Sequence, residues 1–479
     1  MKNKNTLRLS ALAIGVLSVV SVAQASGFQI RENSTKALGR AFTGTTVAKD
    51  DATVAITNPA AMVNLDRTTV ANNVSVIDLT GEFTGTAIAA PTLASQPAPV
   101  NSLAKSVSGG NGGDPGDPTA VPSFAAVMPL HGNLENLWVG FGVSAPYGLK
   151  TEWDKDWVGR YNAVTSDVKV IDATLSAAWK TSDQFSVGVG LVLQHADVTL
   201  TNALDLGTAV CGGIVQQIGA LPVALRPGAI ASQLAPMCLT PTAPYGPGKN
   251  DGFFSVSGKD SAIGWTAGFQ WRPTDKLAIG YNYKSEIAHE LKGDIEFTVP
   301  ANVLALPGMS TRFASGKGGA ELATPSTHTF SASYDVTPSA RVMGEYQRTD
   351  WTTLDNVTIK RDDGTVIGTE DYGWSASNMY SLGGELDLSP ALTLRAGIGR
   401  DETPTHDANR TPRLPDNDHT LLSIGGTYRM SDKLSFDAAF MRVNVKDSPI
   451  RSVSSTGTLI TGEATGGANV IAVGGQYKF

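Results

Sequence analysis

Cysteine is almost absent from this 479-residue chain: there are two, Cys211 and Cys238. That is too few for a disulfide-dense scaffold or a cysteine-rich metal module, and it fits an oxidising compartment with one bridge. Positive charge is also short. Lys and Arg total 37 against 44 acids, a net charge of −7. A nucleic-acid binder needs a basic face, so that class is excluded. Only six histidines occur, His131, His195, His289, His328, His406 and His419. None stands in an H-E-x-x-H or G-x-S-x-G context, which argues against a hydrolase. His195 shares a side of its segment with Asp197 and reads as a rim residue. The acidic pieces "DPGD" at 114–117 and "DNDH" at 416–419 read as loops facing water. No catalytic residue, metal site or cofactor is predicted. Past the start of the chain no run of eighteen or so apolar residues remains, so no helix is expected to span a membrane.

The start itself reads as a secretory leader. Lys2, Lys4 and Arg8 precede a short apolar run from Leu9 to Val22, and Ala23-Gln24-Ala25 is a small-residue cleavage site. Residues 1–25 would then be removed and Ser26 would come first. Loss of three cations takes the net charge from −7 to −10.

From about residue 67 one pattern recurs. Phe185, Val187, Val189, Leu191 and Leu193 alternate with small or polar residues. So do Leu277, Ile279, Tyr281 and Tyr283, and again Leu434, Phe436, Ala438 and Phe440. A period of two puts each set on one face of a strand. Tight polar turns ("KTSDQ", "RPTDK", "VTPSA", "LSPA", "MSDK") alternate with long loops near 85–119, 203–255, 293–320, 362–373, 403–417 and 447–466. Fourteen strands follow, from 67–83 to 467–479, the third at 137–147 and the ninth at 341–360. Short turns on one rim, long loops on the other and an even strand number predict an all-β membrane protein, an antiparallel transmembrane barrel over 67–479. The chain ends on "VGGQYKF", with aromatic Phe479 last, as bacterial barrel strands commonly do. Phe479 is therefore the expected contact with the barrel-assembly machinery.

A barrel of this size leaves a lumen that wall side chains alone do not fill. Residues 26–66 precede the wall and carry Phe28, Ile30, Leu38, Phe42, Val54, Ile56, Met62 and Leu65, too much apolar content for a loose tail. Asn58 can cap a helix with Pro59 at its first position and Ala60 behind it. "STKALGRAF" can make two further helical turns. The segment is predicted to be a compact, partly helical hatch inside the lumen. This argues against a general diffusion porin, which would carry charged rings at an open constriction.

These residues resemble a known family, the outer-membrane long-chain fatty-acid and hydrocarbon transporters of the FadL/TodX type. The resemblance rests on "SGFQIRENSTKALGRAFTG" at 26–44, "DDATVAITNPAAM" at 50–62, "PYGLKTEWDKDWVGRYNA" at 146–163, "DQFSVGVGLVLQH" at 183–195 and "RTPRLPDNDHTLLSIGGTYRMSDKLSFDAAF" at 410–440. It implies a fourteen-stranded barrel, capture of apolar ligands on long external loops, and a dry pocket beside the hatch. It also implies gating by movement of the mature N-terminus, here Ser26, Gly27 and Phe28, with Phe28 against the ligand. A kink in the third strand would open a side door to the bilayer, at Pro146, Tyr147 and Gly148, where Pro removes a ladder donor and Gly permits a bend. The partners implied are hydrophobic small molecules and outer-membrane lipid with its lipopolysaccharide, the protein acting as a monomer.

The loop 211–238 holds Ile214, Val215, Ile218, Leu221, Val223, Leu225, Ile230 and Leu234, many apolar residues for an exposed segment. Of these, Ile218, Leu221 and Leu225 are candidate capture residues, and a Cys211–Cys238 bridge would constrain the loop. Fatty-acid members carry one basic residue near the top of the fifth strand and another before the tenth. Here those neighbourhoods contain neither Lys nor Arg, and the positions fall near Asn202 and Ser375. Arg160 is the substitute candidate for a carboxylate partner. The ligand is thus a fatty acid held differently, or a neutral or aromatic hydrocarbon.

Overall fold

The computed structural model describes residues 27–479; the predicted leader and Ser26 lie outside the described residues. Fourteen wall strands form one closed antiparallel barrel. They are β1 Thr69–Ala89, β2 Thr119–Pro129, β3 Leu137–Glu152, β4 Thr165–Lys180, β5 Phe185–Asp205 and β6 Asp251–Thr274. Next come β7 (Leu277–Lys284 continued by Ile287–Thr298), β8 (Gly316–Thr324 continued by Thr327–Thr337), β9 Ala340–Thr349 and β10 Ser377–Ser389. The last four are β11 Leu392–Asp401, β12 His419–Arg429, β13 Leu434–Val445 and β14 Thr458–Lys478. β1 and β14 close the wall, in register from Thr69 opposite Lys478 to Ala89 opposite Thr458. Closure pairs the first strand with the last and so removes the sheet's two end edges, which is what lets a sheet sit in lipid.

The apolar set of each strand faces outward. Leu175, Val189, Leu191, Ile263, Leu382, Ile424 and Ile471 are all more than half exposed, as a lipid-facing band requires. Trp179, Phe185, Trp271, Tyr428, Tyr477 and Phe479 ring the short-turn rim. The partner positions point in and are small or polar, such as Ser186, Gln194, Thr266 and Asp437.

Several boundaries differ from the periodicity. β1 runs on to Ala89 and β14 begins at Thr458, because backbone pairing between them continues beyond the lipid band. There both faces meet protein or water, so the apolar alternation that marks a strand is lost. β9 stops at Thr349; a single turn at Trp351–Thr353 and a hairpin, Asn356–Arg361 with Val366–Asp371, occupy the rest of the expected ninth strand. The loop 203–255 is not irregular. It carries the helix Leu206–Gly219, capped by the Asp205 carboxylate accepting from Thr208 N, and further helical turns through Leu239, joined by a Cys211–Cys238 disulfide.

Residues 27–66 lie within the ring of strands, about three quarters of them buried. Ser34 Oγ accepts from Ala37 N and starts the helix Thr35–Leu38, a single turn where two were expected. The chain then takes left-handed φ at Ala41 and Phe42, a conformation that costs L-residues energy. Ala41 N donates to Ser423 Oγ at 2.7 Å and Phe42 N to Ala37 O at 2.8 Å, so wall and helix together hold the reversal. Asn58 accepts from Ala60 N and caps the turn Pro59–Asn64. Its Nδ2 donates to Thr46 O at 2.7 Å and to Phe269 O at 3.1 Å, tying that cap to β6. Wall glycines allow the approach: a Cβ on Gly188 would collide with the backbone of Pro59 and Ala60. Near the short-turn rim Glu385 meets Arg40 at 2.8 Å, Arg395 at 2.7 Å and Arg341 at 3.3 Å, and Lys49 meets Asp335 at 2.6 Å.

Candidate functional site

The tip of the inner segment docks on β3. β3 carries an extra residue at Ala145–Pro146: Ser144 faces Asp172, yet Tyr147 faces Val170. A proline there has no N–H for the ladder, and the bulge bends the strand. Below the bulge β3 pairs with β2, but that pairing ends at Phe124 with Val143. β2 itself continues on β1 as far as Thr119 with Ile77. The wall therefore lacks β2–β3 hydrogen bonds over residues 119–123. The inner segment takes up part of the freed edge of β3. Ile30 N donates to Pro146 O and Gly148 N to Phe28 O, both at 2.8 Å, and Gln29 bridges Tyr147. Ser123 Oγ donates to Asn33 O at 2.6 Å on the β2 side.

Phe28 is packed among three rings: Trp351 at 4.8 Å, Trp374 at 5.8 Å and Tyr147 at 6.0 Å between centroids. Gly27 has φ +70°, and a Cβ there would stand 2.9 Å from the Trp374 ring, so glycine suits both its backbone and its space. Gly27 N donates to Asp416 Oδ2 at 2.9 Å. Asp416 also meets His419 at 2.8 Å, and Arg31 binds Asp401 at 2.6 Å. The N-terminal tip is thus held by backbone pairing, aromatic packing and a buried charge cluster.

Above Phe28 lies a cavity of about 90 Å³. Its wall is mostly apolar, with Leu149, Val168, Val198, Leu291, Trp374 and Leu414 among its residues. Burial pushes the Tyr372 phenol in this wall up to about 12, so it stays neutral. One cation, Arg413, lines the space together with Ser166. Beside it, past Tyr147, a second cavity of about 100 Å³ is of mixed character, lined by Ser144, Arg31, Asp172 and Lys284 together with Ile30, Phe42 and Pro146 among others. Tyr147 is buried and its hydroxyl donates to Pro325 O at 3.0 Å, across the break in β8.

The other candidate residues are dispersed. Arg160 does not line the cavity. It pairs with Asp251 at 3.1 Å and donates to Ser108 O at 2.8 Å, bracing the long loops. Asn202 is buried and accepts from Arg413 Nη2 at 2.9 Å. Ser375 donates its N–H to Pro404 O and stands outside the cavity, while its neighbour Trp374 is inside. Ile218 is buried in a cluster with Leu206, Leu234 and Val303, and the partly buried Leu221 packs against that cluster, whereas Leu225 and Val223 are exposed. Packing within the helical loop thus consumes part of the apolar surface that looked free for ligand. Arg413, Ser166 and Trp351 were missed. The available signal for Arg413 was a lone cation in "TPRLPD", between two prolines that stiffen the loop.

A closed barrel whose lumen is occupied by its own N-terminal segment beside an apolar cavity is the architecture of a transporter. The chain belongs to the outer membrane protein transport family (OMPP1/FadL/TodX), whose sequence profile matches residues 16–479. It is 28% identical to the 47 kDa outer membrane protein of Pasteurella multocida (strain Pm70), over 100% of this chain and 99% of that one. It is 26% identical to the long-chain fatty acid transport protein of Escherichia coli (strain K12), over 91% of this chain and 92% of that one. Among solved structures, a Pseudomonas aeruginosa FadL homologue superposes with TM-score 0.80 at 24% identity, covering 95% of this chain and 100% of that chain. The Pseudomonas putida toluene transporter TodX superposes with TM-score 0.62 at 15% identity, covering 96% and 99%. The protein is a bacterial outer-membrane transporter of hydrophobic compounds, and not an enzyme.

Proposed function

We propose that the protein takes up long-chain fatty acids by a lateral route. Water and lipopolysaccharide oppose greasy molecules, and an aqueous pore does not help them. A dry site does, at about 0.8 kcal/mol per buried methylene. The ligand is first caught on the helical loop 203–255 near Leu221 and the exposed Leu225, with Ile218 and the Cys211–Cys238 bridge shaping that surface. It then enters the cavity beside Phe28. Residues 26–66 act as a hatch. Its base, with Asn58, Pro59 and Ala60, stays seated, and its tip, Ser26 to Phe28, moves. Release follows through the gap beside Pro146, Tyr147 and Gly148 into the bilayer, so no continuous aqueous path opens. Phe479 serves recognition by the assembly machinery, lipopolysaccharide surrounds the loops, and the chain works as a monomer.

The carrying observation is the bulge at Ala145–Pro146, which coincides with the end of β2–β3 pairing and with the docked tip. Relatives named long-chain fatty acid transport proteins support the ligand class. Fold neighbours described as a monoaromatic hydrocarbon channel and a toluene transporter make a neutral aromatic ligand the second reading. Deleting Ala145 tests the route. One residue fewer lets β3 pair without the bulge. Uptake of labelled fatty acid should then collapse while binding to the purified protein persists. Uptake at the wild-type rate would refute lateral release.

A further inference from the structure

We infer that Arg413 and Ser166 form the carboxylate cradle of the apolar cavity, so that the bound chain carries its acid group inward and acids are selected over neutral hydrocarbons. This rests on the proposed uptake function and assigns the chemistry of its pocket.

The residues make the case. Arg413 is 5% exposed and Ser166 is fully buried. Both line the cavity. The two terminal nitrogens of Arg413 are anchored: Nη1 donates to Thr201 O at 3.2 Å and to Thr165 O at 3.4 Å, and Nη2 donates to Asn202 Oδ1 at 2.9 Å. All three acceptors are neutral. Among the described residues no carboxylate lies within 4.0 Å of this guanidinium; the ion pairs of the hatch and the loops use other cations, among them Arg31, Arg40, Arg160, Arg395 and His419. Arg413 Nε and Ser166 Oγ are buried and have no hydrogen-bond partner among the described residues. The anchor on Thr165 O places the guanidinium against the residue next to Ser166.

A buried cation without a counter-charge, and a buried hydroxyl without a partner, are both unfavourable. Each has spare donor capacity. A carboxylate entering the cavity could accept from Nε–H and from the Ser166 hydroxyl while neutralising the guanidinium, a charge-assisted arrangement. An alkane or an aromatic hydrocarbon would leave both groups unsatisfied, and sites built to pair a polar group reject analogues that lack it. Asn202 holds the guanidinium in place and does not itself meet the ligand.

The test is competitive displacement of a fluorescent apolar probe from the full-length detergent-purified protein by hexadecanoate, hexadecanol and hexadecane. Wild type should prefer hexadecanoate over hexadecanol by about tenfold to a hundredfold, the usual worth of a hydrogen bond to a charged group. R413A should abolish that preference by weakening hexadecanoate while hexadecane binds at least as tightly as to wild type, R413K should retain part of it, and S166A should reduce it. A structural role in bracing the loop would alter all three ligands alike. Heat-modifiable electrophoretic mobility shows that each variant is folded, and R413K covers the case where R413A is not. A preference that survives in R413A, or equal binding of acid and alcohol to wild type, overturns the assignment of Arg413 while leaving the pocket standing. Failure of all three ligands to displace the probe from wild type overturns the pocket as a transport site, and this inference with it.

Discussion

Gly397 on β11 offers a direct test of whether the inner segment closes the lumen. A Cβ placed there would stand 2.7 Å from Ala41 N and closer still to the carbonyl of Arg40. Ordinary van der Waals contact begins near 3.4 Å, and the Arg40 carbonyl carbon would stand at 2.3 Å, so the reversal at Arg40–Ala41 must retreat by about 1.1 Å. It cannot slide freely. Arg40 is bound to Glu385 at 2.8 Å, and Ala41 N to Ser423 Oγ at 2.7 Å. Overpacking of this kind costs about 1–3 kcal/mol. If that cost falls on the seated state alone, the unseated population rises about 5–150-fold. Gly344 on β9 is the control, since a Cβ there would meet nothing closer than 3.9 Å. In planar bilayers Gly397→Ala should produce open events that are rare in wild type and in Gly344→Ala. If Gly397→Ala stays as silent as the control, with unaltered unfolding, the segment is not what closes the barrel.

Other expectations follow from the same contacts. Phe28→Ala removes three ring contacts and should loosen the tip by about 3–5 kcal/mol, seen as faster hydrogen exchange at Ile30 and Gly148. Unchanged exchange there would mean that backbone pairing alone holds the tip. Glu385→Gln leaves Arg40, Arg395 and Arg341 without their shared anion and should destabilise the seated segment by about 3–5 kcal/mol, measured as a lower urea midpoint for hatch exposure. Replacing Cys211 and Cys238 by Ser frees a loop closed over 27 residues of separation, costing up to about 3 kcal/mol of loop stability. Protease sensitivity within 211–238 should rise and uptake at low ligand concentration should fall, with affinity of the inner cavity unchanged.

The strand pattern was legible because a membrane wall imposes one rule on every strand, apolar outward and small or polar inward. Val189, Leu191 and Leu193 announce that rule locally, with no knowledge of their neighbours. The caps were equally local: Asn58 and Pro59 needed only their own side chain and ring. Where strands pass out of the lipid the rule lapses, and the extra length of β1 and β14, like the hairpin after β9, left no mark in composition.

The site was only partly readable. Phe28 and Pro146 stood out by residue type and by resemblance, but their meeting joins residues more than a hundred apart through two backbone hydrogen bonds. Arg160 and Arg413 are alike as sequence, both arginines in long loops beside aromatic or apolar neighbours. One is neutralised by Asp251, and the other lines an apolar chamber with no acid beside it among the described residues. Alternation, turns and caps depend on near neighbours along the chain, and these the sequence determined alone. Which charges are paired, which glycines receive a backbone and which cavity has an apolar lining depend on what closure of the barrel brings together. Only the tertiary structure decided those, because electrostatic and packing energies follow distance in space and not separation in sequence.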